Sequence, residues 1–110
     1  MLTALSETSH IVVYVTAPVD QAPQLARNLV AAGLAACVNI IAGVRSIYAW
    51  EGEICDDEEA LLVIKTRAER LPELRSRVVE LHPYDVPEVI ALPIVDGHSD
   101  YLDWIDRNTR

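Results

Sequence analysis

The sequence predicts an α+β fold of the ferredoxin-like kind, a β-α-β-β-α-β sandwich with a long β-hairpin and an extra C-terminal helix. Apolar residues form four short runs with the β-branched and aliphatic composition of strands, and between them two stretches repeat at helical spacing. The order gives two β-α-β halves in one sheet, and right-handed crossovers then place both helices on one face. Residues 36–66 read as two arms of roughly 14 residues, or about 45 Å each at ~3.3 Å per residue. A compact chain of this length has a radius of gyration of about 13 Å. The hairpin therefore has to bend, or project and pair with a second copy. The whole of 1–110 reads as one domain, with 1–9 flexible.

The first strand is the apolar run HIVVYVT at 10–16, expected to be covered on at least one face and flanked on both sides. Asp20 is placed to cap a helix over residues 20–32, with Pro23 tolerated in its first turn. Leu25, Ala26, Leu29 and Val30 make its apolar stripe, and Gly33 suits the position just past its end. The hairpin follows. Gly43 marks a bulge or bend in its first arm, and Gly52 supplies the positive φ of a tight reversal. Pro72 fits the first turn of a second helix, whose stripe is Leu74, Val78 and Leu81. Glu73 and Arg77 are spaced to pair across one turn. Arg75 and Arg77 lie off the stripe, on a solvated face or an anion site.

Residues 89–95 read as a strand, at the sheet edge or bulged because Pro93 lacks an N–H. Gly97 turns the chain and Ser99 caps a short helix with Leu102 and Ile105 facing inward. Tyr101 and Trp104 flank that face and pack on the sheet or on a second subunit. The sheet face without helices needs a cover, and self-association is the economical one.

Composition narrows the function. The chain is 51% hydrophobic with no Phe, so the core is Val, Ile, Leu and Ala. A formal net charge of −8 argues against nucleic acid and anionic membranes as partners. No apolar run reaches the ~20 residues of a membrane span. Cys37 and Cys55 lack the spacing of a zinc module or a disulfide framework, and no basic segment leads into an apolar stretch at the start. A reducing, cytoplasmic location is expected. The serines lack a nucleophile elbow and there is no glycine-rich phosphate loop, which lowers the odds of those two chemistries only; a non-enzymatic protein without organic cofactor is the expectation.

Two stretches carry the candidate chemistry. The run DDEE at 56–59 is either a charged strand that blocks edge-to-edge pairing or a cation-binding rim. The turn HPYDVPE at 82–88 is locked by two prolines, which suits either a site or simple chain reversal. His82 at a helix end is favoured there as a cation and is also a metal-ligand candidate. Cys37 is a buried thiol or a ligand. Glu59 and Lys65 share parity and so leave the same face of the strand.

The motifs AACVN at 35–39, SIYAWEG at 46–52, IKT at 64–66 and HPYDVPE at 82–88 together resemble the CutA family of divalent-cation-tolerance proteins. The matches TAP at 16–18 and DYLDW at 100–104 extend the resemblance to essentially the whole chain from His10. It implies a ferredoxin-like protomer and a homotrimer joined through the long hairpins, similar to PII-type signalling proteins. It also implies tolerance of copper and other divalent cations, with Cu2+ or another such ion as cofactor. Val15 and Leu81 stand where the resemblance implies two copper ligands, leaving His82, with Cys37 and Glu59 as auxiliary candidates. The inter-subunit pocket it implies has Trp50, Glu59, Lys65 and Tyr84 at its motif positions. Tyr48 and Asn39 stand within the same motifs. Three functions are thus expected as alternatives: metal binding, small-molecule sensing of the PII type, or a trimeric scaffold for another protein.

Overall fold

In the computed structural model, residues 9–110 are described, so the expected flexible segment lies, Ser9 apart, outside the described residues. The elements run β1 (His10–Ala17), α1 (Ala22–Ala31), β2 (Cys37–Trp50), β3 (Glu53–Arg67), a 3-10 turn (Ala68–Arg70), α2 (Leu71–Leu81), β4 (Ile90–Pro93) and α3 (Ser99–Arg107). The four strands form one sheet in the order β2-β3-β1-β4, with every neighbouring pair antiparallel. This is the α+β, ferredoxin-like arrangement that the element order predicts. β1 sits between β3 and β4, as its unbroken apolar run requires.

Alternation sorts the strands into two faces. Ile11, Val13, Val15 and Ala17 of β1 and Ala60, Leu62 and Ile64 of β3 are fully buried beneath α1 and α2. Ala22, Leu25, Ala26 and Leu29 of α1 and Leu74 and Val78 of α2 complete this core. The two helix stripes are each displaced from expectation by one residue. Val30 and Leu81 are exposed, and Ala22 is buried instead. A residue at either end of the stripe points past the sheet, so periodicity alone overextends it.

The helix ends are made by backbone. Gln21 stands at the α1 N-terminus without a side-chain bond, so the expected Asp20 cap is not formed. Pro18 O instead accepts from the N–H groups of Gln21 and Ala22. Gly33, at φ +73°, closes α1 by donating to Val30 O while Leu34 donates to Leu29 O. His98, rather than Ser99, precedes α3. The Glu73–Arg77 pair also does not form. Glu73 lies 3.4 Å from Arg70, and Arg77 donates to Asn28 Oδ1 at 2.9 Å, tying α2 to α1.

The hairpin is long and bent. Its register slips between Ile41 and Val44, so Ala42 and Gly43 oppose Ala60 alone, and Gly43 has φ +79°. Its tip is a two-residue turn in which Glu51 (φ 49°) and Gly52 (φ 79°) both have positive φ. The longest dimension of the chain is 43 Å, against a radius of gyration of 14.5 Å.

The second sheet face is partly covered by α3, which departs from an open face free of helices. Ile105 is fully buried, His10 Nε2 bonds Asp106 Oδ1 at 2.8 Å, and Arg67 donates to Thr109 Oγ1 at 2.7 Å. Leu102 is half-buried, and Tyr101 stacks on Trp104 with centroids 5.6 Å apart. Beyond α3 this face keeps Ile41, Ile90, Leu92, Tyr48 and Trp50 exposed.

Candidate functional site

At the far end of this second face, the hairpin and the 82–88 turn enclose a cleft of about 860 Å³. Alternation along the bulge-free β3 puts Asp57 and Glu59 on one face, and the register sets Ser46, Tyr48 and Trp50 of β2 beside them. Tyr84, Asp85 and Glu88 line the opposite wall.

The prolines at 83 and 87 hold this turn extended, and hydrogen bonds anchor it. His82 follows α2 in extended backbone and is 7% exposed. Its Nδ1 accepts the Tyr84 backbone N–H at 3.1 Å, so Nε2 carries the proton and donates to Thr16 O at 2.7 Å. The His82 and Tyr84 rings lie 4.6 Å apart. Tyr84 Oη donates to Glu59 Oε2 at 2.9 Å, which ties the turn to β3. Burial, then this bond to the carboxylate, push the Tyr84 hydroxyl up to about 12. Tyr48 Oη donates to Asp57 in the same way and is raised mainly by that bond. Glu88 is raised by burial and then by the charge of Glu59. Arg45 at the rim is held by Asp56, with bonds of 2.9 and 2.6 Å.

The expected site residues fall into two clusters. Trp50, Tyr48, Glu59 and Tyr84 meet in the cleft. Lys65 and Asn39 do not line it: Lys65 Nζ donates to Asn39 Oδ1 six residues farther along β3, or about 20 Å away at ~3.3 Å per residue. Cys37 is paired across from Lys65, with its Sγ 3.9 Å from Asn39 Oδ1. Beside it, burial first and then Cys37 raise the Tyr101 hydroxyl.

The three metal candidates are therefore not gathered within one chain. His82 has both ring nitrogens engaged, and Cys37 is remote from Glu59. Among the described residues no three His, Cys, Asp or Glu side chains form a group able to hold a metal ion. Cu(II) favours several nitrogen and oxygen donors in a tetragonal arrangement, and the donors of a single chain do not fit that requirement. Asp57 and Glu88 enter the sequence reading only as members of the DDEE and HPYDVPE runs, not as individual site residues. Asp57 shares parity with Glu59, and Glu88 closes the proline-locked turn, which are the signals that point to them.

Residues 11–108 match the family described as CutA1 divalent ion tolerance protein. The chain belongs to this family. The divalent-cation tolerance protein CutA of Thermus thermophilus is 50% identical over 99 residues, covering 89% of this chain and 96% of that protein. A chloroplastic CutA of Arabidopsis thaliana is 52% identical over 101 residues, 91% of this chain and 56% of that longer protein. The crystal structure of CutA1 from Oryza sativa superposes with a TM-score of 0.91 at 49% identity, covering 94% of this chain and 95% of that one. No helix among the described residues is long and apolar enough to cross a membrane. CutA1 membership thus bears out the resemblance carried by the sequence motifs.

Proposed function

We propose that this CutA1-family chain is a non-enzymatic protein of divalent-cation tolerance that works as a cytoplasmic homotrimer of single-domain protomers. The observation that carries the trimer is the split pocket. One end of the second sheet face holds Glu59 with Trp50, Tyr48 and Tyr84, and the other holds Lys65 with Asn39 and Cys37. A ring of copies set end to end brings the two halves together, and the exposed Ile41, Ile90 and Leu92 supply apolar contact area. A metal site, in this reading, is completed between protomers, because one chain keeps Cys37 apart from Glu59.

The test is titration calorimetry of Cu(II) into metal-stripped protein, with mass measured by light scattering on the same sample. A trimer mass with saturable uptake of one ion per protomer or per trimer, weakened in Cys37→Ser, is the expected result. A monomer mass, or uptake no tighter than exposed carboxylates provide, overturns the reading.

The size of the cleft favours a second reading, a PII-like small-molecule sensor or a scaffold for another protein. About 860 Å³ far exceeds what a bare ion needs and lies in the range of organic-ligand sites.

A further inference from the structure

The two residues that follow α3 and Asn108 tie the two faces of the sheet together. α3 lies on the second face and α1 on the first, and Thr109 and Arg110 bridge them beside the end of β3. Thr109 is 6% exposed, and its Oγ1 accepts from Arg67 Nε at 2.7 Å while donating to Ile105 O at 2.9 Å. Arg67 Nη2 also donates to Thr109 O at 3.0 Å. Arg110 donates from its backbone N–H to Gly33 O and from Nη2 to Ala31 O, each at 2.9 Å. Its cation thus meets the C-terminal end of α1, where the helix dipole favours positive charge. Arg70 Nη1 in turn donates to Arg110 O.

Gly33 provides the seat. A Cβ there would lie 2.8 Å from Arg110 Nε and 3.1 Å from Arg110 Cβ and Cγ, so the strap fits because this position has no side chain.

α3 has little else to hold it. Its nine residues are fewer than the ~12–15 that an independent helix needs. Ile105 is its one fully buried side chain, with Leu102 and Trp104 half-buried. Its first turn sets Tyr101 beside Cys37, the strand partner of Lys65, and its last turn sets Asp106 on His10. The densest set of bonds lies beyond the helix, in Thr109 and Arg110. The closed strap also leaves one group unsatisfied. Arg70 Nε is buried with no hydrogen-bond partner, the sole such side-chain atom among the described residues. An unpaired donor on a charged group favours an opening that admits water.

We propose that Thr109 and Arg110 form a latch that seats α3 over the Cys37–Lys65 end of the second sheet face. Its release lets α3 lift as a local unit and uncovers that end, while the core beneath α1 and α2 stays folded. Local opening of this kind is drawn from elements with few buried contacts. The latch is a property of one chain, so its failure leaves the trimer reading standing.

The experiment compares native-state hydrogen exchange of the α3 amides with that of the β1 amides. Alongside it, iodoacetamide labelling follows Cys37 in Cys55→Ser protein, where Cys37 is the sole thiol. Thr109→Val and Arg110→Ala should each speed α3 exchange and Cys37 labelling by about tenfold and leave β1 within about twofold. Gly33→Ala should do the same by crowding the Arg110 seat. Gly52→Ala separates crowding from backbone strain, because Gly52 has φ +79°, close to the +73° of Gly33, with open space around it. It should leave the ratio of α3 to β1 exchange unchanged. Equal acceleration of α3 and β1 in the latch variants overturns the proposal, since the strap then adds only to global stability. Unchanged α3 exchange in all three variants overturns it too, as does faster α3 exchange with Cys37 labelling unaltered.

Discussion

The two faces of β3 come from the same 15 residues and have opposite tasks. On one face Ala60, Leu62, Ile64 and Thr66 are fully buried, and the one polar group, the Thr66 hydroxyl, is satisfied by donating to Leu34 O at 2.7 Å. On the other, half-buried Leu61 and Val63 separate Glu59 at one end from Lys65 and Arg67 at the other. The first face is closed by α1 and α2 within the chain. The second carries charge at both ends and is closed only where α3 crosses it. A strand of period two can thus stabilise the fold with one set of residues and leave the alternate set for recognition.

The largest test of this contrast is a pair of neighbouring truncations. Leu62→Ala should lower unfolding stability by about 2–5 kcal/mol, because a fully buried side chain leaves a cavity. Leu61→Ala, one residue away on the half-buried face, should cost about 1 kcal/mol or less in an isolated chain. Denaturant melts of both variants give the comparison. If Leu61→Ala costs as much as Leu62→Ala and also lowers the native mass, a second copy covers that face.

A smaller effect concerns the bond from Tyr84 to Glu59. Tyr84→Phe should cost about 1–2 kcal/mol near neutral pH, the lower part of the ~1.5–3 kcal/mol of a hydrogen bond to a charged group, because Tyr84 is partly exposed. Its pH dependence has a defined sign. The folded chain holds the Tyr84 proton up to about 12, against an ordinary value of 10.0. The folded state therefore binds more protons between these values, and stability falls as pH rises through them. That contribution is complete below pH 10 and lost by about pH 12. Thermal melts from pH 8 to 12 should show a steeper alkaline fall for the parent chain than for Tyr84→Phe, and parallel curves would mean the bond is not made in solution.

The smallest effect is at the hairpin tip. Glu51 has φ 49°, a conformation that asparagine adopts more readily. Glu51→Asn should raise stability by about 0.5–1 kcal/mol without altering the cleft. A neutral or negative change in the melting temperature would mean that Glu51 is held in place by a contact outside the chain.

Much of this architecture is legible in local pattern. The apolar runs of β1 and β3, the proline-tolerant helix starts and the glycines at 33, 43 and 52 all stand where the structure uses them, because backbone sterics act over a few residues. The misreadings lie at the edges of that local logic. Asp20 and Ser99 are good capping residues, yet each stands one position away from the residue at the N-terminal cap, Gln21 and His98. Glu73 and Arg77 have the right spacing, but Asn28 on a neighbouring helix offers Arg77 a better-placed acceptor.

The candidate site divides the same way. That Glu59 and Lys65 share a face follows from parity alone, as does the rigidity of a turn with two prolines. That Tyr84 reaches Glu59, that His82 spends both nitrogens on the backbone, and that Lys65 lies far from Trp50 are facts of tertiary structure. Sequence spacing determines which way a side chain points from its own element. Its partner is decided by how separate elements meet in space, through packing that joins residues as distant in the chain as Thr16 and His82.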